Sequence, residues 1–272
     1  MYKLIAVDID GTLLDSKKNL TNETIKAIQQ AVRQGVIFTI CTGRPIQGVE
    51  PLIDKLGLDL PFITYNGAVI VKGKSKEILY EVKMSAADVK TVMRLGKRLG
   101  ATNLLWVNNQ LYADPLNENA IRYSNISKTP PQPIADLEVL LTQGVTKIVW
   151  CDEVETINRW HEQVGPFLTE TINHHTSQPF LLEFVDHEVS KAKSLARLGA
   201  LYGIKQEEMI AIGDGFNDLS MIKYAGLGVA MANAPEAIKE QADYVTLSND
   251  ENGVAHVIDR FILAKSAENT LK

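Results

Sequence analysis

The run Leu4-Ile5-Ala6-Val7, apolar at every position and stopped by Asp8, constrains the fold of this chain more than any other feature. A strand with one wet face alternates apolar and polar side chains. A run without alternation belongs to a strand covered on both faces, as in a parallel sheet flanked by helices. A helical pattern over residues 22–34 follows, closed by Gly35, and a second apolar run over 36–41 leads into Thr42-Gly43-Arg44-Pro45. Pro45 suits the first turn of another helix. The same rhythm returns late in the chain: a helix over 191–202 closed by Gly203, a short strand over 209–212 running into Gly213-Asp214, and a helix over 216–224. Short strands over 227–231 and 244–247 and a last helix over 253–263 complete it. Strands alternating with helices predict an α/β fold, a Rossmann-like parallel sheet with right-handed crossovers.

Between these halves the texture changes. Residues 85–99 read as a helix, and strands over 104–107 and 111–113 bracket Asn108-Asn109-Gln110, a hairpin turn. Pro130-Pro131-Gln132-Pro133 is a stiff connector. A strand over 147–150, a helix over 154–163 and strands over 168–173 and 180–185 follow. This mixture predicts an α+β cap module, residues 83–186, inserted into an α/β core formed by residues 1–82 and 187–272. Trp106, Trp150 and Trp160 all fall in the insert, where packing is their expected role.

Composition narrows the function. Hydrophobic residues make up 45% and charged residues 22%, as in soluble globular proteins. With 28 Lys and Arg against 33 Asp and Glu, the net charge of -5 gives no field to hold a nucleic acid backbone. No apolar run reaches the roughly 20 residues of a membrane span, and the first residues carry aspartates where an export signal would be apolar. Cys41 and Cys151 form no framework, so both are expected as reduced thiols. The expectation is a cytoplasmic protein binding neither nucleic acid nor membrane, and a monomer by default because no apolar stripe stands out.

Three polar clusters fall at the carboxyl ends of predicted parallel strands, where ligands of open α/β sheets bind. They are Asp8-Ile9-Asp10-Gly11-Thr12, Thr42-Gly43-Arg44, and Gly213-Asp214-Gly215-Phe216-Asn217-Asp218. Spacing of two puts Asp8 and Asp10 on one side of an extended backbone, and Gly11 lets the chain turn. Thr42 and the N–H groups after it suit an anion at a helix start. A single Asp at a strand end is usually a cap or turn residue. Three clusters of complementary chemistry are not explained that way. They predict a hard divalent cation held by Asp8, Asp10 and Asp214 with an anionic ligand opposite, because bare carboxylates so close would repel. No Gly-x-x-x-x-Gly-Lys-Ser/Thr loop exists, and Gly226-Leu227-Gly228 lacks the third glycine of a dinucleotide fingerprint. His174 and His175, adjacent on a predicted strand, face opposite sides and make a poor metal pair.

Asp8-Ile9-Asp10-Gly11-Thr12-Leu13-Leu14, then Thr42-Gly43-Arg44, Lys191 and Gly213-Asp214 through Asp218, resemble in order and spacing the four motifs of the haloacid-dehalogenase superfamily. Tyr65-Asn66-Gly67-Ala68 and the segment from Gly226 to Ala234 resemble its Cof-like phosphatases, the sugar phosphatases among them. The resemblance covers nearly the whole chain and is weakest over 83–186. It implies Mg2+-dependent hydrolysis of phosphomonoesters of small metabolites, sugar phosphates foremost, with Asp8 as nucleophile through an aspartyl-phosphate and Asp10 as general acid and base. It implies Mg2+ held by Asp8, the Asp10 carbonyl and Asp214, with Asp218 orienting the site. Thr42, Gly43, Arg44, Lys191 and Asn217 would bind substrate, and the insert would cover the site and select the leaving group. Ala192 stands where family members often have glycine after the lysine. A phosphomutase using the same intermediate, or a non-catalytic phosphate-binding regulator, are the alternatives; the pair Asp8 and Asp10 argues against the regulator, since binding alone needs no acid–base group.

Overall fold

A computed structural model describes residues 1–264. The chain divides into two compact units, one of residues 1–42, 49–79 and 190 onward, the other of 43–48 and 80–189. The first unit begins with β1 (Leu4–Val7), buried at all four positions. Helix α1 (Asn22–Arg33) starts at Thr21, whose hydroxyl accepts from the Thr24 N–H, and buries Ala27, Ile28 and Ala31 along one stripe. β2 (Ile37–Cys41), α2 (Glu50–Leu56), β3 (Phe62–Thr64), β4 (Val69–Lys72) and β5 (Glu77–Glu81) follow.

The second unit carries α3 (Ala86–Leu99), β6 (Asn103–Val107), β7 (Gln110–Asp114), α4 (Glu118–Ser127), β8 (Gln132–Pro133) and α5 (Leu137–Gln143). It ends with β9 (Val145–Cys151), α6 (Val154–Val164), β10 (Ile172–Gln178) and β11 (Leu181–Asp186). Its sheet runs β10-β11-β9-β6-β7-β8, antiparallel except where β8 joins β7. Alternate residues Leu105, Ile148, Trp150, Leu182 and Phe184 pack with Val89, Val92, Ile157 and Trp160 from α3 and α6 into one core. The turn between β6 and β7 is Asn108-Asn109, both left-handed, as hairpin geometry requires. The strand read at 168–173 lies later, at β10, because Thr169 and Thr171 turn their hydroxyls onto Asp88 near the start of α3. The Pro130–Pro133 stretch ends in β8, a two-residue strand; α4 lies among Asn and Ser residues that resemble loop, and α5, Leu137–Gln143, is only seven residues long, too short for a helical period to stand out. His175 approaches Glu183 while His174 stacks on Phe184, so the two imidazoles do part.

The chain then re-enters the first unit with α7 (Lys191–Tyr202), β12 (Met209–Gly213), α8 (Leu219–Tyr224), β13 (Leu227–Ala230), α9 (Glu236–Lys239), β14 (Tyr244–Val245) and α10 (Gly253–Ile258). The last predicted helix changes pitch after Ile258 into a wider turn over Asp259–Leu263. The sheet order is β14-β13-β12-β1-β2-β3-β4-β5, parallel from β14 to β3 with β4 antiparallel beside it. This is the mixed α/β architecture expected, with a parallel-rich central sheet. Succession runs outward from β1 to β2 and from β12 to β13 in opposite directions, so the winding reverses between β1 and β12. A crevice at their carboxyl ends is where such sheets bind ligands.

Candidate active site

Asp8 continues β1 by one residue, its N–H still bonded to the Ile212 carbonyl at 3.0 Å. The chain then turns back on itself: the Leu13 N–H reaches the Asp8 and Ile9 carbonyls, each at 3.1 Å. Gly11 makes the turn at φ +86°, and a methyl group there would stand 2.2 Å from Asp214 Oδ2. The glycine therefore serves both the turn and the close approach of a carboxylate from the end of β12. Thr12 donates its hydroxyl to Asp214 Oδ1 at 2.6 Å, joining the first and last clusters.

Lys191 opens α7, whose cap is Ser190 accepting from the Lys193 N–H. Its buried ammonium donates to Asp8 Oδ1 at 2.6 Å and, by a very short bond, to Asp218 Oδ1. The second Asp218 oxygen accepts from the N–H groups of Asp214 at 3.0 Å and Gly215 at 2.9 Å. Asp218 thus braces both the lysine and the loop that carries Asp214. Asn66, left-handed at φ +58° and buried, accepts from Asn217 Nδ2 at 3.3 Å. The approach of that loop to α7 is tight: a methyl on Gly67 would stand 2.4 Å from the Ser190 carbonyl. Buried Thr42 donates its N–H to the Ile63 carbonyl at 3.0 Å and receives the Asn66 N–H on its own carbonyl at 2.9 Å.

Electrostatically the cluster is acid-rich. Oxygens of Asp8, Asp214 and Asp218 lie within 4.8 Å of one another. Burial, with Asp218 beside it, pushes the Asp8 carboxyl up to about 7 although Lys191 opposes the shift. Burial likewise raises Asp214 to about 6, against the Thr12 hydrogen bond and with the help of Asp218. Burial alone would lower Lys191, but Asp218 and Asp8 outweigh it and hold the ammonium charged. Three carboxylates against one ammonium call for a cation. The donors are hard oxygens, and the absence of a side chain at Gly11 lets the Asp214 carboxylate come close, so the residues present fit a divalent metal ion. Cys41, next to Thr42, is fully buried and its thiol is pushed up to about 12 by that burial, which makes it inert.

The residues singled out in the sequence are distributed as follows. Asp8, Lys191, Asp214 and Asp218 meet in the first unit, where Thr42 and Asn217 each bond to Asn66. The Asp10 carboxylate accepts from Lys18 Nζ on Oδ1 at 2.9 Å, and its charge adds to the rise of Asp214. Gly43 and Arg44 belong to the second unit, where the Gly43 carbonyl accepts from Lys147 at 3.1 Å and Arg44 closes its own loop onto the Gly48 carbonyl at 3.2 Å. Sequence reasoning missed the Thr12–Asp214 bond, the Asn66–Asn217 pair and Lys18. Thr12 and Asn66 stand inside quoted motifs, a signal that was present; Lys18 follows the first motif in a polar stretch that carries none.

Among the described residues no helix is long and apolar enough to cross a membrane. The haloacid dehalogenase-like hydrolase family matches residues 5–258. The Bacillus subtilis 5-amino-6-(5-phospho-D-ribitylamino)uracil phosphatase YwtE is 31% identical over 297 residues, covering 97% of this chain and all of that one. A haloacid dehalogenase-like hydrolase from Bacteroides thetaiotaomicron superposes with a TM-score of 0.85 at 34% identity, covering 96% of this chain and all of that one. The sugar phosphatase BT4131 superposes at 0.80 with 26% identity over 96% of this chain and 99% of that one. A carboxylate cluster at the winding reversal of a parallel-rich sheet, in a chain matched end to end by named phosphatases, places this protein in the haloacid dehalogenase-like hydrolase family as a phosphoric monoester hydrolase.

Proposed function

We propose that the protein hydrolyses phosphomonoesters of small polyhydroxylated metabolites, sugar phosphates foremost, with Mg2+ and through an aspartyl-phosphate on Asp8. The observation that carries this reading is the Asp8 carboxylate itself, buried at the end of β1, held by the Lys191 ammonium at 2.6 Å and faced by Asp214 across Gly11. A buried carboxylate fixed in this way is a positioned nucleophile. An Asp8 oxygen attacks phosphorus as the ester P–O bond breaks, and Asp10 gives its proton to the departing oxygen. Asp10 then takes a proton from water as that water attacks phosphorus, the acyl-phosphate P–O bond breaks, and inorganic phosphate leaves. Lys191, Thr42 and Asn217 hold the phosphoryl oxygens; Gly43 and Arg44 join them on the strength of their motif in the sequence. Asp8 and Asp214 carboxylates, with the Asp10 carbonyl, would hold Mg2+, and Asp218 keeps the Asp214 loop and Lys191 in place. The bound ion supplies neutralising charge between an anionic nucleophile and an anionic ester.

The emphasis on sugar phosphates draws support from the names of two similar proteins, one acting on a phosphorylated ribityl chain and the other a sugar phosphatase. The test is phosphate release from a panel of sugar phosphates and 4-nitrophenyl phosphate, with Mg2+ or EDTA, by wild type and Asp8→Asn. Metal-dependent release that Asp8→Asn abolishes is the expected result. Release that survives the substitution would remove Asp8 from its role.

A further inference from the structure

We infer that Lys18 is a positioning residue for Asp10, fixing which carboxylate oxygen exchanges the proton with substrate. The inference rests on the acid–base reading of Asp10 proposed above. Lys18 Nζ donates to Asp10 Oδ1 at 2.9 Å. The Lys18 side chain is 63% exposed and that of Asp10 33%, and such pairs add little to stability. The loop around this one is nevertheless built with care. Asp15 Oδ1 accepts from the N–H groups of Lys17 at 3.0 Å and Asn19 at 2.7 Å. The Asp15 N–H meets the Asn19 carbonyl at 3.0 Å, and the Lys18 N–H meets the Asp15 carbonyl at 2.9 Å. From outside, Asp250 accepts the Ser16 N–H, Asn249 donates to the Leu14 carbonyl, and Asn233 donates to the Gly11 carbonyl.

Within this frame Lys18 takes φ +62°. That left-handed conformation is costly for a long side chain and is the usual place for glycine or asparagine. Asn19 stands one position too late to fill it. A turn stapled at both ends that holds a lysine where glycine would be easier is explained by the ammonium it delivers to Asp10. An ammonium has donors only. The ammonium favours the oxygen it binds, Oδ1, as the carbonyl oxygen of the protonated acid, which leaves the acid proton on Oδ2 to pass to the ester oxygen as the P–O bond breaks. Lys18 thereby sets both the rotamer of Asp10 and its working oxygen.

The test compares an alkyl ester, the best sugar phosphate of the panel, with 4-nitrophenyl phosphate, whose leaving group needs little protonation. Values of kcat/KM are measured for wild type, Lys18→Met, Lys18→Gly, Lys18→Arg, Asp10→Asn and, as a neighbouring control, Lys17→Met. Lys18→Met is expected to lower kcat/KM for the alkyl ester by roughly 10- to 100-fold, a part of what a general acid supplies, and to leave the aryl ester within about threefold of wild type. Lys18→Gly, which relaxes the backbone while removing the charge, should lose the alkyl reaction equally without melting earlier. Lys18→Arg should recover much of it, and Lys17→Met should match wild type. An equal fall for both esters in Lys18→Met, or no fall in either, overturns the inference while leaving Asp10 in its role. If Asp10→Asn itself leaves the alkyl-to-aryl ratio unchanged, the acid–base reading fails and takes this inference with it.

Discussion

Gly11 shows how closely the site is constrained at single residues. It turns the chain at φ +86° and leaves the space that a methyl would take 2.2 Å from Asp214 Oδ2. Gly11→Ala must therefore push Asp214 aside or unwind the turn. Calorimetric titration with Mg2+ should show affinity weakened about 10- to 100-fold, the scale on which misplacing a metal ligand acts; an unchanged Kd would contradict the placement. The charges around it carry a pH signature. Burial pushes the Asp8 carboxyl up to about 7 and that of Asp214 up to about 6 in the fold, both above the ordinary value of 3.8. Between about pH 4 and 7 the folded protein thus binds more protons at these groups than the unfolded chain, and their contribution to stability falls as pH rises. A bound divalent ion takes over the protons' work. The melting temperature in Mg2+ should exceed that in EDTA by a gap that widens from about pH 5 to 8. A gap constant over that range would mean that the two carboxylates do not hold the ion.

Among the elements, α7 ties stability to chemistry most directly, because its cap and its first residue are neighbours: Ser190 caps the helix that presents Lys191. Thr21 caps α1 in the same way. Ser190→Ala and Thr21→Ala should each cost about 1 kcal/mol in urea unfolding. Only Ser190→Ala should also lower phosphatase activity, since fraying there releases the ammonium from Asp8 and Asp218; equal activity in both variants would detach the cap from the site. The two helices were legible in the sequence as helical patterns closed by a glycine, Gly35 and Gly203. The strand β1 was legible because a double-covered strand needs four apolar residues in a row. Local patterns stop there. Asn66 reaches Asn217 and Thr12 reaches Asp214 across more than a hundred residues of chain, and no period encodes such meetings. Their positions could be read only as parts of motifs. Lys18 lay outside every pattern because its role comes from a turn closed by side-chain hydrogen bonds.

At the scale of the whole molecule, the two units hold charge in their interiors by the same means. In the second, Lys147 donates to both Glu183 oxygens at 3.0 Å, Ser177 adds a hydroxyl at 2.8 Å, and both charged groups are buried. Burial works against the Glu183 charge, but Lys147, with His175 and Ser177, holds it down to about 2. Glu183→Gln strands the lysine and should cost about 3–5 kcal/mol, whereas Lys147→Met with Glu183→Leu should cost much less. Urea unfolding of the three proteins measures this, and a double variant no better than the single one would refute it. The alternation of strands and helices made the α/β core readable, and the insert was readable as α+β through its hairpin. The sheet order of the first unit has a further consequence. The strand that carries Asp8 lies between β2, made soon after it, and β12, which begins at Met209. On the ribosome, β1 can therefore pair on one side early while its other edge stays bare until most of the protein has been synthesised, and such an edge is open to foreign strands. The strand that leads into Asp8 thus keeps one edge bare until β12 is made, and a chain cut short before β12 would expose an apolar ribbon there.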